Sequence, residues 1–278
     1  MNIKILVCCH KKDIYKETDL YMPIQVGKAL SEINLNMPSD DTGDNISHKN
    51  NSYCELTGMY WAWKNLKGID YIGFCHYRRY FDFMHNGRRF FPLTTFSNSQ
   101  FEELDYNISK KAYSFLQKGG CIIAKPLHLH TSIYYQYCES HYGKDFRILG
   151  DVIRDTQEQK YYKAFWDTII KGNIFYHCNM FIMNWAQFDK YCNWLFPILN
   201  EVEKRTDITN YDKTQKRIYG YLSERLLGLY IHAEKINTLN IPIMKISNEP
   251  ETDNLPSYKL LFRNFIRDLG FGIIKLTI

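Results

Sequence analysis

Asp70-Tyr71-Ile72-Gly73-Phe74-Cys75-His76-Tyr77-Arg78-Arg79-Tyr80-Phe81 is the stretch that decides the fold. Its first half is a short apolar run without helical period, the mark of a strand buried on both faces. Its second half places a histidine and two arginines directly at the end of that strand. Strands of this kind belong to sheets covered by helices on both sides, and in such sheets ligands sit beyond the carboxyl ends of the strands.

Outward from that block the pattern repeats. Residues 3–9 read as a buried first strand, 119–125 as a third, 178–184 as a fourth and 241–246 as a late one. Helices are predicted over 157–171, 185–205 and 213–231, with Pro197 as a kink site in the second. Ser52-x-x-Glu55 has the form of a capping box, followed by Leu56, Met59, Tyr60 and Trp63 at helical spacing, with Gly68 to close the helix. Residues 23–35 are expected to carry a short helix and 37–51 to form a polar loop. Strands alternating with helices imply an α/β domain with a mostly parallel central sheet flanked by helices. That domain is expected over 1–247, followed by a tail over 248–278.

The composition fits. The 278 residues are 45% hydrophobic and 23% charged, values that exclude a disordered, collagen-like or low-complexity chain. Aromatic residues reach 16%, with 22 Tyr and 17 Phe, which suits either ring-lined clefts or an aromatic core. The net charge of +5 is modest for a dedicated DNA binder and fits an anionic ligand or a membrane-surface contact. The eight cysteines form no C-x-x-C pair and sit mostly in apolar runs, so a reducing compartment is expected. The start of the chain has no signal-peptide form, and no apolar run is long enough to span a bilayer. The expected location is cytoplasmic, either free or peripheral on the inner face of the cell membrane.

Two strand ends carry chemistry. One is Cys8-Cys9-His10-Lys11; the other is His76-Tyr77-Arg78-Arg79, with Arg88 and Arg89 soon after. Guanidinium forks match phosphate oxygens bidentately, so the arginines read either as a diphosphate clamp or as a solvated basic loop. Neither a G-x-G-x-x-G nor a P-loop motif is present, which disfavours a Rossmann dehydrogenase or a P-loop kinase, and the lack of G-x-S-x-G disfavours an α/β-hydrolase. His128 and His130 have no third metal ligand nearby and read as surface histidines. On the helix over 213–231, Arg225 falls inside the stripe of Ile218, Tyr221, Leu222, Leu226 and Leu229, while Glu224 and Arg217 share another face. A buried arginine needs an anionic partner, either a structural carboxylate or a ligand phosphate. Glu224 reads as a general base or as a solvated residue. Asp44, Asn45 and their neighbours could read a uracil or ribose edge, or simply form Asx turns.

Several blocks together resemble a bacterial glycosyltransferase family of capsular and exopolysaccharide synthesis, long catalogued as a domain of unknown function. They are Ile5-Leu6-Val7-Cys8-Cys9-His10-Lys11, Gly43-Asp44-Asn45-Ile46-Ser47-His48-Lys49-Asn50 and Tyr53-Cys54-Glu55-Leu56-Thr57-Gly58 with Tyr60-Trp61-Ala62-Trp63-Lys64-Asn65. The most specific is Gly73-Phe74-Cys75-His76-Tyr77-Arg78-Arg79-Tyr80-Phe81; Asn179-Met180-Phe181-Ile182-Met183 and Gly220-Tyr221-Leu222-Ser223-Glu224-Arg225-Leu226 follow. The resemblance implies a GT-A-like transferase that uses a nucleotide-sugar donor, first of all UDP-linked galactose or galactofuranose, and a growing capsular, exopolysaccharide or O-antigen glycan, lipid-linked or free, as acceptor. The Asp-x-Asp that holds a divalent ion in most GT-A enzymes is missing here. No cofactor or metal is therefore expected, with fixed positive charge in the metal's place.

Under this resemblance Glu224 is the first candidate base of an inverting transfer, with His76 and Asp44 as further catalytic candidates and Glu55 as an alternative. Arg78, Arg79 and Arg225 would hold the diphosphate. Val7, Cys9, Asp44, Asn45 and Lys49 would surround the uridine, with His10, Tyr77 and Asn179 completing the donor set. Trp61, Trp63 or Tyr77 could stack on a sugar, although Trp63 also fits the core. In the tail, Leu261, Phe262, Phe265, Ile266 and Leu269 form an apolar face beside Lys259, Arg263 and Arg267. That is the pattern of an interfacial helix for an anionic leaflet, or of one packed on the domain or in a dimer. The readings set against the enzyme are a carbohydrate-binding protein without catalysis and a single-strand RNA binder, the latter disfavoured by the low charge.

Overall fold

The computed structural model describes residues 1–87 and 91–248. Arg88, Arg89 and the amphipathic helix expected in the tail lie outside the described residues. The strands are β1 (Ile3–Cys9), β2 (Tyr21–Gln25), β3 (Tyr71–His76), β4 (Arg79–Phe81), β5 (Leu93–Phe96), β6 (Cys121–Ala124), β7 (Leu127–His128), β8 (Ile174–Phe175), β9 (Phe181–Asn184), β10 (Thr238–Ile241) and β11 (Ile243–Ile246). The helices are α1 (Asn50–Tyr53), α2 (Leu56–Asn65), α3 (Lys110–Gln117), α4 (Ile133–Ser140), α5 (Gly143–Thr156), α6 (Gln159–Ala164), α7 (Trp185–Arg205) and α8 (Ile218–Ala233).

The α/β expectation holds, and β3 is the branch point of a nine-stranded sheet. It runs parallel to β1 from Ile3↔Tyr71 to Cys8↔His76, and β1 in turn runs parallel to β2. On its other edge β3 pairs antiparallel with β9, which leads on to β6 and β10. At its carboxyl end a tight turn at Tyr77 and Arg78 sends the chain back into β4, which joins β11 and β5. The sheet is therefore mixed, with β9 antiparallel to both neighbours, rather than largely parallel. The physical reason is that the chain between β6 and β9, through α4, α5 and α6, returns β9 from the opposite end of the sheet.

Side-chain alternation divides the sheet's residues between two cores. From β1, Ile3, Ile5, Val7 and Cys9 enter one core while Leu6 and Cys8 enter the other. From β3, Ile72 and Phe74 face the second core and Cys75 the first; from β9, Phe181 and Met183 oppose Ile182 in the same way. The second core is closed by α2, α5, α7 and α8, through Leu56, Leu149, Phe188, Leu195 and Leu226 among others. The first is closed by Tyr21, Tyr80, Phe101, Tyr106 and Leu116 of α3.

Two local expectations change. Residues 23–35 hold the end of β2 and a single 3-10 turn, Lys28–Leu30, because Tyr21, Ile24 and Gln25 are buried along β1. Ser52-x-x-Glu55 is not a capping box: Cys54, at φ 51° and ψ −132°, breaks the chain between α1 and α2 and turns Glu55 away from the helix amides. A capping box does open α7, where Asn184 and Gln187 hold each other's backbone amides.

Gly73 sits at a close approach between β3 and β9. A Cβ there would lie 2.6 Å from Ile182 Cγ1 and 2.9 Å from the Phe181 carbonyl oxygen. Gly73→Ala is expected to destabilise the fold by about 1–3 kcal/mol, the usual cost of overpacking a rigid core. Urea unfolding checks this, and an unchanged midpoint would show that β3 and β9 can part at no cost.

Candidate active site

The carboxyl ends of β1 and β3 open into a cleft of about 950 Å³. Its floor comprises Cys8, His10, His76, Tyr77 and Arg78; Arg79 of β4 and Lys245 of β11 line one part, Glu55 and Cys54 another. Lys213, Lys216 and Arg217, just before α8, and Glu224 within it complete the wall.

Charge is the cleft's main property. Arg78, Arg79, Lys213, Lys216, Arg217 and Lys245 face two carboxylates, Glu55 and Glu224. Arg78 is ion-paired with Asp13 at 2.8 Å. Among the described residues no carboxylate pairs with Arg79 or Arg217. Arg217 donates to Cys54 Sγ at 3.3 Å and lies over the Tyr221 ring. Three cations at the start of a helix oppose its dipole, which favours anions there. Together they prepare the cleft for an anionic ligand.

A left-handed turn under the cleft positions the reactive candidates. Cys178 and Asn179 have φ of 71° and 48°. The Cys178 amide donates to Glu224 Oε1 at 3.1 Å, and its carbonyl lies 2.8 Å from His76 Nε2. A carbonyl only accepts, so Nε2 carries the imidazole proton and Nδ1 is left as an acceptor. Asn179 Nδ2 donates to Glu55 Oε1 at 2.7 Å and to Ser223 Oγ at 2.8 Å. Burial pushes the Glu224 carboxyl above its ordinary range, opposed by the Arg225 guanidinium 3.0 Å from Oε2. Burial likewise raises Glu55, against the Asn179 bond. His76 is pushed down to about 4, first by burial and then by Arg79, so it is neutral.

Of the candidate residues, the cleft gathers His10, Glu55, His76, Tyr77, Arg78, Arg79 and Glu224. His10 and Tyr77 meet edge to face, with ring centres 5.4 Å apart. The others lie elsewhere. Val7 and Cys9 are sealed in the core beneath the sheet, because they point to the face opposite Cys8. Asn45 spends its side chain on the Ser47 amide and the Gly43 carbonyl, the Asx-turn alternative. Asp44 accepts from the Tyr60 hydroxyl at 3.2 Å on an exposed loop, and Lys49 is ion-paired with Glu203 at 2.6 Å. Asn179 is buried below the floor. Arg225 is also buried; its carboxylate partner is Glu224, and it stacks 4.3 Å from the Phe175 ring centre. Trp63 stacks on Phe196 and Trp61 donates to Thr42, so both serve the core. Among the described residues no three His, Cys, Asp or Glu side chains gather as a metal site.

Lys213, Lys216 and Lys245 are cleft residues that the sequence reading left out. The run Lys213-x-x-Lys216-Arg217 before a helix without an acidic first turn was a usable signal, because it contradicts the dipole. Lys245 gave none; only the β4–β11 pairing brings it opposite Arg79.

The architecture is that of a glycosyltransferase. The solved apo structure of WbbM, a bifunctional glycosyltransferase, matches with a TM-score of 0.80 and 27% identity, over 91% of this chain and 48% of that one. The chain thus spans about half the length of that protein. It belongs to the family described as Domain of unknown function (DUF4422), whose profile matches residues 4–235. The resemblance read from the motifs holds at the level of family and fold. No curated protein matches the sequence. Among the described residues no helix is long and apolar enough to cross a membrane.

The neutral His76 ring gives a pH dependence. It binds a proton less tightly folded than unfolded, where its pKa is near 6.5, so the stability it contributes is full above pH 6.5 and drains as pH falls toward about 4. The slope approaches about 1.4 kcal/mol per pH unit. His76→Gln keeps a donor for Cys178 and does not titrate. Urea unfolding across that range should therefore show a shallower pH slope in the variant; parallel profiles would mean the ring is not held neutral.

Proposed function

We propose that the chain transfers a sugar from a UDP-sugar donor, with galactose or galactofuranose as the first candidates, to a hydroxyl of a growing surface glycan, with inversion at the anomeric carbon. The observation that supports this most is the cationic wall of Arg79, Arg217, Lys213, Lys216 and Lys245 at the end of β3, none of them ion-paired with a carboxylate among the described residues. A nucleoside diphosphate is the leaving group whose charge such a wall offsets, a task otherwise given to a divalent ion. In this reading the uracil and ribose lie toward His10 and Tyr77, and the diphosphate lies against Arg79 and Arg217.

Glu224 acts as the base. Its burial makes it a stronger base than a solvated glutamate, and the Cys178 amide and Arg225 fix its carboxylate. It takes the proton of the acceptor hydroxyl. The hydroxyl oxygen forms the new bond to the anomeric carbon, and the old bond to the phosphate oxygen breaks with its electron pair on UDP. Neutral His76, with Nδ1 as an acceptor, can orient a hydroxyl but cannot supply charge.

A thermal-shift titration with UDP, with and without EDTA or manganese, tests the site, since a ligand of the folded state must raise its stability. A shift indifferent to EDTA is expected; a shift requiring manganese would overturn the cationic substitute for the metal. Arg79→Ala should weaken UDP binding about 10- to 100-fold, the worth of charge-assisted hydrogen bonds. Glu224→Gln should keep UDP binding and lower turnover by about 100-fold or more. Unchanged turnover would assign the base elsewhere.

A further inference from the structure

Glu224 belongs to two cavities. Besides the cationic cleft it lines a second hollow of about 620 Å³, bounded by α8, β8 and the π-helical segment Phe165–Ile170. That volume is within the range of small-molecule sites.

Charge separates the two spaces. The cleft carries six basic side chains against two carboxylates. In the second hollow Arg225 and Lys235 are matched by Asp167 and Glu224. A phosphate gains little in the balanced site, whereas a neutral polyol needs only ring faces and short-range polar groups. Both are present. Tyr176 supplies a ring, and Asp167 and Asn173 supply acceptors and donors of the kind that bind vicinal hydroxyls. The Asp167 carboxylate and the Tyr176 hydroxyl meet no hydrogen-bond partner among the described residues. Gly228 shapes the wall, since a Cβ there would lie 2.9 Å from Tyr176 Cδ2.

We propose that this second hollow is a sugar subsite for the acceptor end of a neutral glycan, bringing its hydroxyl to the Glu224 carboxylate from a cavity other than the one that holds the nucleotide. The assignment to the acceptor rests on the UDP-sugar reading; the sugar subsite itself rests on the balanced charge, the Tyr176 ring and the shared glutamate. The two cavities then divide recognition: fixed positive charge selects the donor, and hydrogen bonds with ring contact select the acceptor.

Saturation-transfer NMR of the full chain with methyl hexosides (galactoside, glucoside and the N-acetylglucosaminide) tests this in the presence of saturating UDP. Binding of at least one hexoside alongside UDP is expected. Asp167→Ala should weaken it about tenfold through the lost hydrogen bond, and Gly228→Val should do so by driving Tyr176 into the hollow, both with the UDP shift intact as the check on folding. Displacement of the hexoside by UDP, wild-type affinity in both variants, or no hexoside signal would each overturn the subsite. Hexoside binding that depends on Asp167 without any UDP shift would instead remove the nucleotide reading and leave the subsite standing.

Discussion

The left-handed turn at Cys178 and Asn179 is the constraint on which the site depends. Residues other than glycine enter this backbone region at a cost of about 1–3 kcal/mol, tolerated where the surroundings fix it. Here four groups do so. His76 and Glu224 hold the Cys178 backbone from opposite sides, and Glu55 and Ser223 hold the Asn179 side chain. β3, the start of α2, α8 and the entry to β9 are tied together by one pair of residues. The turn also sets the tautomer of His76 and the orientation of Glu224, so the same bonds that secure the fold define the acid–base character of the cleft.

Burial then sets the proton affinities. Glu55 and Glu224 are raised and His76 is lowered, each primarily because the charged form loses water. The neighbouring guanidiniums act in the same direction on His76 and the opposite one on the carboxylates. Burial and a cleft wall rich in cations together keep the histidine neutral while preserving a usable carboxylate, the division that the proposed transfer between a polyanionic donor and a neutral hydroxyl would require.

The branching of the sheet makes this cleft possible. Because β4 folds back from β3 at His76 and Arg79, the sheet continues past the strand end instead of stopping there, and β11 adds Lys245 beside Arg79. A purely parallel sheet would leave this edge open to loops alone.

The sequence by itself determined the alternation of strands and helices, the two-faced burial of β1 and β3, the bounds of α7, and the placement of His76 to Arg79 at a strand end. These are local: apolar runs, helical spacing and a histidine-arginine block are written in contiguous residues. It also placed Glu224 on a different face from the apolar stripe. The tertiary structure alone decided that β9 runs antiparallel, that Glu55 leaves its apparent cap to meet Asn179, and that Val7 and Cys9 face the core, whereas Cys8 faces the cleft. It decided too that Asn45 and Lys49 are engaged in local and ion-pair contacts, and that Lys213, Lys216, Arg217 and Lys245 join Arg79. For Asn45 the choice lay between two local readings, and the Asx turn with Gly43 and Ser47 is the one formed. For the others, which face a strand residue takes, and which carboxylate or cation a side chain meets, depends on register and pairing between segments far apart in sequence, such as Glu55 with Asn179 and Lys49 with Glu203, and no local pattern encodes that.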